Sequence, residues 1–592
     1  MFSRIKNLFF VAKQLYGGYK WQIVFLVLLG FLSGFLEALG IGVLIPIFSF
    51  VVNKGEIGSD FISQFVFQAF SYVNVSLSIY SLLGLVVFLF TLKAITSFVF
   101  SYVNVRIISD YDTRMQQGIY KNALAASWEY LLKQKIGHLE RMIFTHVAFV
   151  TRLFQQIANN IIGFTSFLMY LFVAISLSYN IALVTILLGF IIIFIFKPFF
   201  SKTKAFSHKR RKAEEEMAHL INENVVGIKT IKANGVEKKV IERANIILIK
   251  LRSLRIKLNL TKALGSIFIQ PIGFLFISVM FVIFFKKPGF DFAVFIAVMY
   301  LIQRIFQYVE KIQGSLYIIN EAAPYISSLI NFEKELAEHK EQSSGEDKFS
   351  FKEELEAKNL SFRYSQDRPV LSRINFKVKK GEIIGIIGPS GAGKTTLVDI
   401  LLRLFAIQEG ELLIDKKPVS QISFSDWRKN VGYVSQDIFL KNDTIRENII
   451  FYGDNITQED IERATKSANI YNFIQTLPKK FDTLVGERGV LLSAGQRQRI
   501  VLSRALARRP KILILDEATS ALDNESEKLI KESIDLLKGD VTVITIAHRL
   551  STITSADRLI AIEDGKVVDE GTPEALLKDK SSYFYRVYDI IQ

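Results

Sequence analysis

Apolar positions are spread unevenly along this chain. Six hydrophobic runs, at 21–51, 79–103, 157–177, 181–199, 263–285 and 290–316, crowd the first part of the sequence. They are too long for buried strands, so each predicts a helix. A bilayer core about 30 Å thick needs about 20 apolar residues of helix, and four of the runs exceed that easily. The third and fourth lie back to back across Ser178-Tyr179-Asn180, which reads as a short hairpin. Large buried helices of a soluble protein would be the competing reading, but the number and length of the runs oppose it. Between the second and third spans, and again between the fourth and fifth, lie polar helix-rich stretches at about 104–156 and 200–262. They are too long to be simple loops.

After about residue 350 the pattern changes to short apolar runs, the mark of buried strands alternating with helices. Ile383–Ile387 is one such strand. It enters Gly388-Pro389-Ser390-Gly391-Ala392-Gly393-Lys394-Thr395, with Thr396 following, and then the helical run Leu397-Val398-Asp399-Ile400-Leu401. Strand, glycine-rich loop and helix in this order form a phosphate-binding loop. Its glycines let backbone N–H groups surround phosphate oxygens. The helix N-terminus and Lys394 add positive charge, and the Thr395 hydroxyl suits Mg²⁺. A second strand, Ile512-Leu513-Ile514-Leu515, ends in Asp516 and Glu517. Asp516 is placed to hold the metal, and Glu517 to orient and deprotonate an attacking water.

Between these two sites stands Leu492-Ser493-Ala494-Gly495-Gln496. Here the chain resembles the ABC ATPase family, whose signature at this place is Leu-Ser-Gly-Gly-Gln. The resemblance runs from residue 351 to the C-terminus. It implies that Gln436 senses Mg²⁺ and water, that Tyr364 stacks on adenine, and that His548 contacts the γ-phosphate. It also puts Ser520-Ala521-Leu522-Asp523 at a dimer interface. Gly486-Glu487-Arg488-Gly489 resembles a motif typical of exporters. In this family the signature of one protomer (here Ser493, Gly495 and Gln496) closes on the phosphate loop of the other. A chain with one copy of each element is therefore expected to form a homodimer. Ala494 departs from the family's Gly, which would put a methyl at a tight phosphate approach.

Lys and Arg cluster in the N-terminal segment and after the second and fourth spans. The positive-inside rule then places both termini in the cytoplasm. Topology and the anionic inner leaflet account for much of the formal charge of +16, leaving little for a nucleic-acid partner. There is no cysteine, which excludes disulfides and thiol chemistry. His138, His146, His208, His219 and His339 show no metal-ligand spacing.

The expected organisation follows. Residues 1–20 form an interfacial elbow helix. Residues 21–330 form an all-α six-helix transmembrane domain with long cytoplasmic extensions. Residues 331–350 are a charged linker, and 351–592 an α/β phosphate-loop ATPase domain. This resembles the type IV exporter fold, which implies coupling helices at the tips of the excursions, near 127–131 and 234–241. ATP and Mg²⁺ are the expected cofactors, and the cell's inner membrane the expected location.

Charges inside apolar runs are costly and often functional. Glu37, Lys93 and Arg304 are three such charges. Measured along their helices, Glu37 falls near the outer leaflet and the two cations in the inner half, so Glu37 is not expected to neutralise either. Lys93 and Arg304 would form a basic ring for an anionic head group, the alternative being that both snorkel to lipid head groups. The run Leu36-Glu37-Ala38-Leu39-Gly40-Ile41-Gly42-Val43-Leu44-Ile45-Pro46 and the 50 phenylalanines resemble flippases of lipid-linked oligosaccharides and lipid A-type substrates. A multidrug exporter with an adaptable aromatic cavity is the second reading. A soluble ABC ATPase acting on DNA or ribosomes is contradicted by the six runs.

Overall fold

The structure, a computed structural model, describes residues 20–52, 61–72, 74–135, 137–177, 179–285, 292–341, 345–364, 369–517, 523–546 and 555–586. The chain divides into two compact units. One comprises Met1–Ala126 with Lys133–Lys340, the other Ser127–Leu132 with Glu341–Gln592.

The first unit is helical. Its N-terminal half holds α1 (Lys20–Gly42), α2 (Leu44–Val52), α3 (Phe61–Tyr72) and α4 (Ile79–Leu124). Ser78 caps α4 in a reciprocal capping box with Ser81, which fixes where that long helix begins. The short α5 (Trp128–Leu132) belongs to the second unit, with Tyr130 buried. Then come α6 (His138–Arg141), a π turn at Met142–His146, α7 (Val147–Leu177) and α8 (Tyr179–Val226). The unit ends with α9 (Ile228–Ala233), α10 (Glu237–Ile267), α11 (Ile269–Phe285) and α12 (Phe292–Glu338).

Among the described residues, five helices are long and apolar enough to cross a membrane: Lys20–Phe48, Ile79–Leu124, His138–Ile175, Leu183–Val226 and Glu237–Ile283. They expose Phe88, Phe98, Phe172, Phe190 and Phe194, faces that suit lipid rather than water. The chain is a multi-pass membrane protein. The expected sixth span, 290–316, falls largely on α12, which is not among the five. Residues 290 and 291 of that span lie outside the described residues, and Arg304 is the one charge in 292–309. What α12 carries is two adjoining buried stripes at helical spacing. Leu301, Ile305 and Tyr308 pack with Ile41, Tyr170 and Ala174. Val298, Ile302, Phe306 and Val309 pack with Ile192, Phe196, Ile269 and Phe276. α12 is therefore an inner element of the bundle.

Two boundaries differ from expectation. The second separate short helix lies at Ile228–Ala233, between Gly227 and a turn at Gly235 with φ 61°, so 234–241 spans that turn and the start of α10. The expected linker at 331–350 is helical through Glu338, because Phe332 and Leu336 are buried and Lys334 pairs with Glu338 at 3.6 Å. The expected elbow helix lies outside the described residues except for Lys20, which begins α1.

The second unit is α/β. In chain order its main elements are β1 (Glu354–Phe362), β2 (Leu371–Lys379), β3 (Ile383–Ile387), α13 (Lys394–Leu401), β4 (Glu409–Ile414), β5 (Lys417–Pro418), α14 (Phe424–Asn430) and β6 (Val431–Val434). They continue as α15 (Ile445–Ile450), α16 (Gln458–Ser467), α17 (Tyr471–Thr476), α18 (Ala494–Ala507), β7 (Ile512–Asp516), α19 (Asn524–Asp535), β8 (Thr542–Ile546), β9 (Arg558–Glu563), β10 (Lys566–Gly571) and α20 (Pro573–Lys578). An antiparallel sheet has the order β2-β1-β4-β5, and a six-stranded sheet the order β10-β9-β3-β8-β7-β6. Strands β9, β3, β8, β7 and β6 run parallel. Both faces of β3 are covered: Ile383 and Ile387 join one apolar core, Ile384 and Ile386 the other. That double burial is why the strand reads as an unbroken apolar run. It also fixes the loop after β3 at the carboxyl edge of the sheet, where open α/β sheets bind ligands.

Candidate functional site

The loop between β3 and α13 is held by close backbone approach. A Cβ on Gly388 would overlap the carbonyl oxygen of Ile562, so that position accepts only glycine. Gly393 precedes α13 with φ 98° and no side-chain cap, leaving the first-turn N–H groups to face the loop. Lys394 is buried and donates to the carbonyls of Gly388 at 2.9 Å and Pro389 at 3.0 Å. Burial lowers its pKa, opposed by Glu517 and Asp516. The neutral carbonyls are weak partners that a phosphate would outcompete. Ser390 and Gly391 are exposed at the tip, Ala392 is buried, and Thr395 opens outward beside buried Thr396.

β3 pairs with β8 and β8 with β7, which brings the carboxylates at the end of β7 to the same sheet edge. Asp516 is buried, and its Oδ1 has no hydrogen-bond partner among the described residues. Burial raises its pKa to about 6, with Glu517 adding to the rise and Lys394 opposing it. A buried carboxylate oxygen left without a donor suits a hard cation, so the residues present fit Mg²⁺. Glu517, directly after β7, has φ 48°, a strained left-handed backbone conformation. Gln436 follows β6 and donates from Nε2 to Glu517 Oε2 at 2.6 Å.

Tyr364 is half exposed, stands edge-on to Phe362 and Phe405, and shares a hydrogen bond of 3.0 Å with the Thr396 hydroxyl. Ser493 and Gln496 cap α18 reciprocally: Ser493 Oγ accepts from the Gln496 N–H, and Gln496 Oε1 from the Ser493 N–H. Among the described residues these bonds are local to α18. Gly495 abuts Ser526, whose hydroxyl a Cβ would overlap. Ala494 is half-buried and packs at the edge of the apolar core under α18. Asp523 caps α19 by accepting from the Ser526 N–H at 3.2 Å. His548 and Ser520-Ala521-Leu522 lie outside the described residues.

Two residues escaped the sequence reading. Tyr433 lies beside Asp516 and opposes the rise in its pKa, and burial pushes the Tyr433 pKa upward. Asp399 is raised to about 6 by burial and by Asp516. A carboxylate inside the apolar run 397–401 was a visible signal for Asp399. Nothing in the sequence marked Tyr433.

In the helical unit the expected separation of charges fails. Lys93 Nζ lies 3.0 Å from Glu37 Oε1, with Tyr170 and Tyr308 flanking the same carboxylate. Lys93 is thus neutralised and no member of a free basic ring. The depth estimate erred because it took each run to begin at the edge of the bilayer core, and α4, 46 residues long, far exceeds the core, so that edge is not fixed. Arg304 donates to the Tyr300 hydroxyl at 2.9 Å and to Gln307 at 3.1 Å, and has no ion pair among the described residues.

Fold and site together define a phosphate-loop nucleotide-binding domain in one chain with a multi-pass helical membrane domain. The family models described as ABC transporter and ABC transporter transmembrane region match residues 371–520 and 23–289. The chain is 30% identical to the ATP-dependent lipid A-core flippase of Syntrophus aciditrophicus strain SB over 82% of its length and 80% of that protein. The chain belongs to the ABC transporter family. It is 35% identical to the ATP-dependent lipid A-core flippase of Saccharophagus degradans over 64% of its own length, spanning 65% of that relative. A structure described as a bacterial Atm1-family ABC exporter with ATP bound shares the fold. Its TM-score is 0.80 at 22% identity, covering 96% of this chain and 98% of that one.

Proposed function

We propose that this protein is an ATP-driven exporter or flippase. It would move an amphipathic substrate, a lipid or lipid-linked saccharide with an anionic head, from the inner to the outer leaflet of the cytoplasmic membrane. One observation carries the reading. A phosphate loop, a metal-suited carboxylate and a strained Glu517 held by Gln436 meet at one sheet edge, in a chain whose described residues include five membrane-length helices.

The loop amides and Lys394 bind the ATP phosphates, and Tyr364 stacks on the base. Thr395, Asp516 and Gln436 would hold Mg²⁺, which offsets phosphate charge when bound. Glu517 accepts the proton of the attacking water. His548 serves the γ-phosphate. One phosphate loop and one signature in the sequence, with neither degenerate, support a homodimer. In it Ser493, Gly495 and Gln496 face the partner's phosphate loop, Asp523 lies at the interface, and both termini are cytoplasmic.

The relatives named as lipid A-core flippases support the lipid substrate. Arg304 is the cation left to receive an anionic head. The test is ATPase stimulation in liposomes by phosphorylated polyprenyl lipids against hydrophobic cationic drugs. Lipid stimulation lost in Arg304→Ala supports the reading. Stimulation by drugs alone, unchanged in that variant, establishes the multidrug exporter instead.

A further inference from the structure

In the first unit, beside α6, α8 and α12, lie two adjoining clefts of about 900 and 770 Å³, which share Gln134, His138, Arg211 and Ser328. In the smaller one, Arg141 and Arg211 each present a buried Nε–H with no hydrogen-bond acceptor among the described residues. Arg141 makes one long bond, from Nη1 to the Glu214 carbonyl at 3.4 Å. Arg211 pairs with Glu215 through Nη1 only. The other two carboxylates lining the cleft already have partners: Glu216 faces Lys250 at 3.7 Å, and Glu223 lies 3.4 Å from the His219 ring. On the neighbouring face of the same helices the cations are matched. Arg210 binds Glu214 at 2.8 Å and Glu321 at 3.2 Å, and Lys262 binds Glu321. The π turn Met142–His146 follows Arg141 directly, and π turns in helices are frequent at functional sites.

A buried N–H without an acceptor costs about 1–3 kcal/mol, and two guanidinium groups in one cleft also repel. A group that brings several acceptor oxygens and negative charge removes both penalties, and phosphate fits the fork of arginine donors best. We propose that this cleft binds a phosphate group between Arg141 and Arg211, with His138 at the shared wall. The phosphate is the head group of an inner-leaflet lipid or part of a free small molecule, and the cleft is roomy enough for what the phosphate carries. Binding would tie α6 to α8, adding to the brace that already joins α8 and α12. This site is built from residues other than the nucleotide site and does not depend on the identity of the exported substrate.

The test uses the full-length protein in nanodiscs with the nucleotide site saturated by Mg·ADP, at constant ionic strength. The unfolding temperature is followed against inorganic phosphate in phosphatidylcholine discs, and compared with discs containing phosphatidylglycerol. A saturable rise with phosphate assigns a free phosphate ligand. A rise only with phosphatidylglycerol assigns a lipid head group. Either supports the site, provided Arg141→Gln abolishes the rise while leaving the anion-free protein at least as stable as wild type. Arg211→Lys keeps the charge and the Glu215 partner but loses the fork, so half-saturation should move up by about tenfold or more. Lys212→Gln, at the rim, should change little. No response of the wild type to either anion, or an equal response in Arg141→Gln and Arg211→Lys, overturns the proposal.

Discussion

Removing either partner of the Glu37–Lys93 pair should be costly, but unequally so. Glu37 has 8% of its side chain exposed and Lys93 25%. At 3.0 Å the gross attraction is about 5–6 kcal/mol at an effective dielectric of about 20, most of it offset by desolvation. Lys93→Ala strands a short carboxylate between Tyr170 and Tyr308, and breaking a buried pair this way costs about 3 kcal/mol. Glu37→Gln leaves an ammonium on a long stem that can reach a wetter level, at about 1 kcal/mol. The double variant should cost less than Lys93→Ala alone, because neither charge is left uncompensated. Unfolding of purified protein in detergent, followed for the two single variants and the double, measures all three. Equal losses in the single variants, or a double loss as large as their sum, would refute the reasoning. Transport separates the roles as well. A double variant that regains substrate-stimulated ATPase shows that Lys93 serves the pair rather than the cargo.

Glu517→Gln should keep ATP affinity within about threefold and lower steady-state hydrolysis at least about 100-fold, as loss of a general base does; radiolabelled-ATP binding and phosphate release check this. With its pKa raised to about 6, Asp516 holds more protons folded than unfolded between pH 4 and 6, so its contribution to stability falls as pH rises through that window. Because Mg²⁺ must displace that proton, the Mg²⁺ concentration required for ATP binding should be about tenfold higher at pH 5 than at pH 7, beyond what free nucleotide shows in the same buffers. Asp516→Asn should remove the excess. Ala494→Gly, which removes a methyl packed against the core, should cost about 0.5–1 kcal/mol in unfolding measurements and leave ATPase within about twofold. Gly495→Ala should abolish turnover through overlap with the Ser526 hydroxyl, and adding Ser526→Gly should recover part of it.

The nucleotide site was legible in sequence because its parts are local. Ile383–Ile387 and Ile512–Asp516 are apolar runs bounded by the residues that do the chemistry, and parallel pairing through β8 brings those ends together. Residues whose role depends on a distant strand were not legible. Tyr433 reaches Asp516 only because β6 lies beside β7, and no spacing encodes that neighbour. Helix ends were blurred for a related reason. Gly227 and Gly235 both break the helix, yet only the fold shows that Ile228–Ala233, six of the seven residues between them, form the short element.

The error over Glu37 bears on how charges in membrane helices should be read. Depth estimated from one end of a span assumes that the span begins at the edge of the apolar slab. α1 and α4 are both longer than the slab requires, so each can slide along its axis until a better partner is met. The partner decides the register: a carboxylate and an ammonium gain far more by meeting at 3.0 Å than a helix loses by a few ångströms of hydrophobic mismatch. Arg304, on a helix whose apolar faces are packed against α1, α7, α8 and α11, has no such partner among the described residues, and makes do with Tyr300 and Gln307 from its own helix. The same physics that removes Lys93 from the list of substrate contacts therefore strengthens the case for Arg304.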